Sequence, residues 1–229
     1  MKTIYTTAIA LMTTLLLFSG CGDTLKENAG SNDDMQMSID LSTYSQDALT
    51  DEQKYALAYM WHEEKLAYEI YLALNTIYPS KQFVNIATKS EIKHIALVQN
   101  LVAWYDLNIT NIPDYTINYS AEELANMPAG VYAIDEIQSL YDTLYAKGIG
   151  SKQAALEIAC MVEVTDVNDL DIDIVLAGDN AALVDTFNIL RNGSYNHYWA
   201  FDKALNNLGV SDGCCSLGAT YCKPDYPQK

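Results

Sequence analysis

The stretch 49–78 runs for 30 residues without proline or glycine, so a long helix is its strongest structural signal. Thr50 followed by Gln53 matches the capping box with which many helices begin. Three further stretches repeat apolar residues at steps of three and four, at about 84–104, 151–164 and 180–207. The sequence therefore predicts four substantial helices.

The connection between the second and third of these helices is long and covers 105–150. One short amphipathic helix is predicted inside it, at about 134–147. A further short helix is predicted directly after the third helix, at 165–178. The apolar alternation in the connection is brief and is interrupted by Pro113, so no set of strands is predicted. Four substantial helices with one long crossover predict an all-α fold, a ferritin-like four-helix bundle over 49–209.

The first 20 residues have the features of an export signal, with Lys2 before an apolar run that is too short to cross a bilayer comfortably. The run ends in small residues directly before Cys21, as in the bacterial lipobox, where the peptide is cut before a lipidated cysteine. Ordinary cleavage nearby is the alternative. The polar stretch 21–48 is predicted to be a flexible tether. We therefore expect an exported protein held in the cell envelope by lipid on Cys21.

Export would permit disulfides. The C-terminal tail, 210–229, contains three cysteines, and a disulfide that closes onto Cys222 is predicted, with its partner either Cys214 or Cys215. A metal site built from these three cysteines is the less favoured alternative because no histidine lies nearby. Cys160 lies in an apolar helical run, so it is predicted to be a buried free thiol.

The charge balance narrows the choice of partners. Lysine and arginine total 13 against 30 aspartates and glutamates, a net charge of −17. Such a surface repels nucleic acid and anionic lipid headgroups, so no nucleic-acid partner is expected. Cations are the natural ligands for this chain.

Titratable residues lie on the predicted inward faces of all four long helices, inside apolar stripes that alternate by three and four. The four stripes are Leu57, Met60, Glu64, Ala67, Tyr71 and Leu74; Val84, Ala87, Glu91, His94, Val98 and Leu101; Leu156, Ala159 and Glu163; and Leu183, Phe187, Leu190, Ser194, His197, Phe201, Ala204 and Leu208.

Three buried carboxylates without compensation would cost an amount comparable with the stability of a whole domain. The chain has a single arginine, Arg191, and its lysines mostly lie off the stripes. Metal ions would supply the missing positive charge. We therefore predict that the ligands of a metal centre are Glu64, Glu91, His94, Glu163 and His197.

The segments EEKLAYEIY, SEIKHIALV, MVEVTDVNDL and LRNGSYNHYWAF, in this order and spacing, resemble the DUF2202 family of the ferritin-like superfamily. The resemblance implies that the five residues hold a dinuclear iron centre, or one of manganese. Glu91 and His94 form a Glu-x-x-His element. A second such element would need a glutamate where Ser194 stands, so a dinuclear centre with an open face and a single metal ion both remain open.

Several neighbours of the predicted ligands have more than one role that the sequence allows. Asp166 could supply the missing carboxylate, but capping a helix that begins near 165 is the favoured role. Tyr71 is a packing residue, a contact of the ligands or an electron donor. Arg191 is a surface residue or the partner of a ligand carboxylate. Gly193 could allow a bulge in the fourth helix.

Two further residues are predicted to lie outside the site. His62 is off the inward stripe and is predicted to be on the surface. Glu63 points about 100° away from Glu64 around the helix, so it is a weaker ligand candidate.

The ligand set leads to three functional hypotheses. The first is an iron oxidase or a protein that consumes O₂ or H₂O₂. The second is a metal-binding or metal-buffering protein without catalysis, and the third is an interaction module with a vestigial site. The expected partners are metal ions, small oxidants, the membrane through the lipid and a second copy of the chain in a homodimer.

Overall fold

The computed structural model describes residues 38–107 and 126–228. All regular secondary structure in these residues is helical, and they contain no strand. The all-α prediction is thereby confirmed for these residues. The helices are α1 (Asp51–Ile77), α2 (Lys81–Ile86), α3 (Ile92–Trp104), α4 (Asp135–Gly148), α5 (Lys152–Ala177) and α6 (Ala181–Asn207). A π turn, Ala87–Glu91, joins α2 to α3.

Side chains cap the starts of the three longest helices. Thr50 and Gln53 form the predicted capping box of α1. Ser151 accepts a hydrogen bond from the backbone of Ala154 at the start of α5, and Asn180 accepts one from Leu183 at the start of α6. These bonds satisfy backbone N–H groups that a helix leaves unpaired.

Helix α5 is longer than predicted. The third helix was expected to end near 164, with a new one from 165, but α5 runs without interruption to Ala177. No proline or glycine lies between Lys152 and Ala177. The helix ends at Gly178, whose φ of 57° is a conformation that glycine adopts without strain.

The π turn shifts the buried face of the second helical segment. A π turn holds one residue more than an α-helical turn, so the stripe that fits α3 does not continue into α2. Val84, predicted to be inward, is 38% exposed, while its neighbour Phe83 is fully buried. Leu208 was also predicted to be inward, but it lies past the end of α6 and is exposed. The bulge anticipated at Gly193 is absent, because α6 is regular there.

The four long helical segments contact one another in a ring. α1 packs against α3 and α5, α5 packs against α6, and α6 packs against α2 and α3. Two apolar cores lie along this ring, one around Tyr71, Phe83 and Phe201 and the other around Leu57 and Phe187. Each segment passes from one core to the other. The predicted metal ligands lie in the polar layer between the two cores.

Two disulfides fasten the tail. Cys215 pairs with Cys222, which is one of the two pairings that the sequence left open. Cys160 is not a free thiol as predicted, because it forms a disulfide with Cys214. Cys160 and Cys214 are 54 residues apart in sequence, so only the fold brings these two cysteines together.

The export signal, Cys21 and residues 21–37 of the expected tether lie outside the described residues. Within the described ranges, no helix combines the length and the apolar character needed to cross a membrane. Residues from the end of the tether contact the helices: Tyr44 donates a hydrogen bond to Asp185, and Gln46 donates one to the carbonyl oxygen of Trp104.

Candidate metal centre

The first group of candidate ligands joins α1 to the segment that contains α3. Nδ1 of His94 lies 3.1 Å from Oε2 of Glu64 and 3.0 Å from Oε2 of Glu91. All three side chains are buried. A single imidazole nitrogen can donate only one hydrogen, so two carboxylate oxygens this close to it favour a shared cation over two hydrogen bonds.

The second group joins the same glutamate to α5 and α6. Nδ1 of His197 lies 3.0 Å from Oε1 of Glu91 and 3.4 Å from Oε2 of Glu163. Each group could hold one metal ion. Glu91 belongs to both groups and points a different oxygen at each histidine, which is the arrangement of a bridging carboxylate.

Several buried atoms of the site have no hydrogen-bond partner. They are Oε1 of Glu64, Oε1 of Glu91, Nε2 of His94 and Nδ1 of His197. Oε1 of Glu91 and Nδ1 of His197 lie 3.0 Å apart, yet neither atom forms a hydrogen bond. Buried polar groups are rarely left unpaired, because each costs about 1 to 3 kcal/mol. The two carboxylate oxygens and Nδ1 of His197 fit ligands that converge on a cation, whereas Nε2 of His94 faces Gly193.

The electrostatics of the site reflect this crowding of carboxylates. Burial raises the pKa of Glu64 to about 7, although His94 opposes the rise. Burial alone would lower the pKa of His197, but Glu91 and Glu163 outweigh it and raise that pKa to about 10. The same balance raises the pKa of His94, while the two imidazoles lower the pKa of Glu91 against the effect of burial. The cluster therefore attracts positive charge strongly.

Two hydroxyl groups orient the second group. Tyr71 is fully buried between Phe83 and Phe201 and donates a hydrogen bond to Oε1 of Glu163. Nε2 of His197 lies 2.7 Å from Oγ of Ser90. A bond to the second ring nitrogen fixes the tautomer and the orientation of a ligating histidine. Sequence reasoning missed Ser90, which lies off the inward stripe and is placed by the π turn.

Gly193 makes room for His94. A Cβ atom at this position would lie 2.4 Å from Nε2 and 2.6 Å from Cε1 of the imidazole. The backbone of α6 therefore contacts the ring directly. The glycine has this packing role instead of the bulge that the sequence suggested.

Asp166 does not cap a helix, because it lies in the middle of α5. It is buried, and its Oδ2 accepts a hydrogen bond from the hydroxyl group of Ser194. Burial raises its pKa well above the usual value, and the nearby charge of Glu64 adds to the rise. Asp166 belongs to neither three-residue group, but it brings a carboxylate next to the serine that stands where the second Glu-x-x-His element lacks its glutamate.

One prediction about neighbouring residues was wrong, and the structure adds detail for two others. His62 is fully buried, with Nδ1 2.7 Å from the carbonyl oxygen of Ala58, and burial lowers its pKa to about 4. Glu63 is buried too, because α5 covers this face of α1. Arg191 contacts no ligand carboxylate, since its guanidinium binds Asp171 and Asn188.

A pH effect on stability is expected from Asp173, a buried aspartate near this face of α5. Burial, and then the charge of Asp169, raise its pKa to about 7. The folded state therefore holds this proton between about pH 4 and 7 while the unfolded chain has lost it, so stability falls as the pH rises through that window. Asp173→Asn should reduce the slope of this decrease in the free energy of unfolding by up to about 1.4 kcal/mol per pH unit. Urea unfolding at several pH values measures the slope.

The matched control for this prediction is Asp179→Asn, which removes the same charge from an exposed position just after α5. It should leave the pH profile of stability unchanged. Equal profiles for the wild type and Asp173→Asn would contradict the prediction.

Comparisons with known proteins agree with the extent of the helical region. Residues 52–218, which include all five candidate ligands, match the family described as "Uncharacterized protein domain (DUF2202)". The uncharacterized protein MJ0754 of Methanocaldococcus jannaschii is 33% identical over 169 residues, covering 74% of this chain and 83% of that protein. The crystal structure of hypothetical protein MJ0754 aligns with a TM-score of 0.61 at 33% identity, covering 71% of this chain and 85% of that chain. The chain belongs to the DUF2202 family.

Proposed function

We propose that the chain is a ferritin-like metalloprotein whose ring of four helical segments is a four-helix bundle around a pair of divalent cations. The ligands are Glu64, Glu91 and His94 for one cation and Glu91, Glu163 and His197 for the other. The observation that carries the proposal is the position of Glu91, which offers one oxygen to each buried histidine. Asp166 is a further ligand candidate beside Ser194.

The distances between the ligand atoms support coordination. With metal bonds of about 2.1 Å, neighbouring ligand atoms lie about 3.0 Å apart in octahedral geometry and about 3.4 Å apart in tetrahedral geometry. The four nitrogen-to-oxygen distances of the site are 3.1, 3.0, 3.0 and 3.4 Å. The side chains are therefore already spaced as the ligands of an ion are.

The donor set favours iron, with manganese as the second choice, because carboxylates and imidazoles suit both metals. When bound, two irons in such a carboxylate-rich site would supply redox chemistry with O₂ or H₂O₂. The surrounding chain would protect the site: the apolar cores on either side exclude water, while Tyr71 and Ser90 hold Glu163 and His197 in place.

The most plausible activity is oxidation of iron or consumption of oxygen or peroxide at the cell envelope, to which the N-terminal sequence would anchor the chain. Metal buffering without catalysis is the second candidate. It is favoured by the closed site, in which all five ligands are at least nine-tenths buried.

Metal analysis separates these functions. Protein obtained by expressing the full-length chain would be stripped of metal, given Fe²⁺ without oxygen and assayed by elemental analysis. About two irons per chain, followed by consumption of O₂ or H₂O₂, is the expected result. Binding without turnover would favour buffering. A chain that binds neither iron nor manganese would contradict both functions.

A further inference from the structure

Four carboxylates outside the two three-residue ligand groups form a row between the protein surface and the metal centre. From the outside inward they are Asp173, Asp169, Glu63 and Asp166. The three aspartates follow each other at steps of three and four on α5, so they share one face of that helix. Glu63 lies opposite them on α1, and its carboxyl group interacts directly with Asp169.

The outer end of the row is open. Asp169 and Asp173 line a surface groove of about 320 Å³, together with Tyr55, Tyr59 and Glu136. Three acidic side chains line this groove, and above about pH 7, where Asp173 has lost its proton, their negative charge raises the local concentration of cations.

The inner end of the row reaches the centre. Glu63 and Asp166 line a cavity of about 20 Å³ between α1, α4 and α5, which has room for about one water molecule. Asp166 is close enough to Glu64 for each charge to raise the energy of the other. Each member of the row therefore interacts with the next, from Asp169 in the groove through Glu63 and Asp166 to Glu64.

The buried members of the row have no positively charged partner among the described residues. Glu63 is only 6% exposed, and its Oε2 has no hydrogen-bond partner. Asp166 and Asp173 are each 8% exposed. Across 38–107 and 126–228, no lysine, arginine or histidine forms an ion pair with any of the four carboxylates. Buried carboxylates that lose their protons are costly without a positive charge nearby, so a bound cation would stabilise the charged form of this row.

The four carboxylates do not form a tight binding site of their own. In the described part of the chain, the groups of three ligands compact enough for an ion are the two at the centre. Spaced single carboxylates bind a cation weakly, and weak successive binding suits passage better than storage.

We propose that this row is an uptake path along which divalent cations pass from the surface groove to the metal centre, an inference that rests on the proposed function. Asp173 and Asp169 collect the cation in the groove. The cation next binds Oε2 of Glu63, which has no hydrogen-bond partner. It then binds Asp166, from which it moves to Glu64.

Stopped-flow absorption with Co²⁺ as the probe tests the path in the metal-free full-length protein. Asp169→Lys puts a positive charge at the inner edge of the groove and should slow Co²⁺ binding about tenfold or more. Release to excess EDTA should slow by a similar factor, because the ion leaves by the same path, and the final amount of bound Co²⁺ should not change. Glu63→Gln should slow binding by about threefold or more.

The matched controls are Asp179→Lys, at the exposed position after α5, and Glu157→Gln on the outer part of α5. Each should change the binding rate by less than about twofold. Should Asp169→Lys fail to fold by circular dichroism, the comparison of Glu63→Gln with Glu157→Gln decides.

Equal binding rates in the path variants and their controls would overturn the path while leaving the centre intact. Slower binding accompanied by faster release would also overturn it, because that pattern means a weakened centre. A wild-type chain that binds no Co²⁺ at the centre would overturn both the path and the proposed function.

Discussion

Replacing Glu91 with glutamine is expected to reduce the metal content of the protein at least about tenfold, from about two ions per chain. Glu91 is the residue common to both candidate ligand groups, with one oxygen 3.0 Å from His94 and the other 3.0 Å from His197. An amide carries no charge, and its nitrogen cannot ligate a cation, so one ion loses its Glu91 ligand and the other keeps only a neutral amide oxygen. Elemental analysis after reconstitution with Fe²⁺ measures the loss.

The control for this variant is Glu157→Gln, which changes a carboxylate of α5 that accepts a hydrogen bond from Gln153 and belongs to neither ligand group. It should bind metal as the wild type does. Circular dichroism of Glu91→Gln should show an intact helical fold, because the shape of the side chain is kept. Full metal content in a folded Glu91→Gln protein would contradict both the bridging role of Glu91 and the proposed centre.

The sequence predicts the buried faces well wherever a long helix is regular. All six inward positions of α1, from Leu57 to Leu74, are buried, and so are seven of the eight positions of α6. A regular helix keeps its buried face at a period of 3.6 residues, so the faces that carry Glu64 and His197 could be read from spacing alone. The joint occurrence of glutamate and histidine on these faces then pointed to one polar layer.

The remaining features depend on contacts between segments that are distant in sequence. The π turn before α3 changes the buried face from Val84 to Phe83, and no local pattern signals it. Cys160 looks like a core residue until the tail brings Cys214 to it. Asp166 looks like a helix cap until α6 places Ser194 beside it. The periodicity of a sequence identifies the buried face of one helix. It does not identify the atoms of the neighbouring helix that contact this face.

Replacing Gly193 with alanine is expected to lower metal affinity about a hundredfold and to destabilise the fold by up to about 2 kcal/mol. Alanine favours a helix over glycine by about 1 kcal/mol, so at a site with free space this change would stabilise α6. Here the new Cβ would lie 2.4 Å from Nε2 of His94, a buried ring held between two glutamates. Either the ring or the backbone of α6 must move, and the first ligand group loses its geometry. Metal titration and urea unfolding of the metal-free protein measure the two effects.

Gly148→Ala in α4 separates crowding in general from crowding of the ligand. Its Cβ would lie 2.8 Å from Cδ2 of Leu74, a flexible side chain in the apolar core and not a ligand. This control should therefore change stability while metal affinity stays within about threefold of the wild type, because the ligand geometry of the centre is untouched. If Gly193→Ala bound metal as tightly as Gly148→Ala does, His94 would not be held at the centre by its contact with α6. The affinity ratio of the two variants thus measures how far the close approach of α6 positions His94.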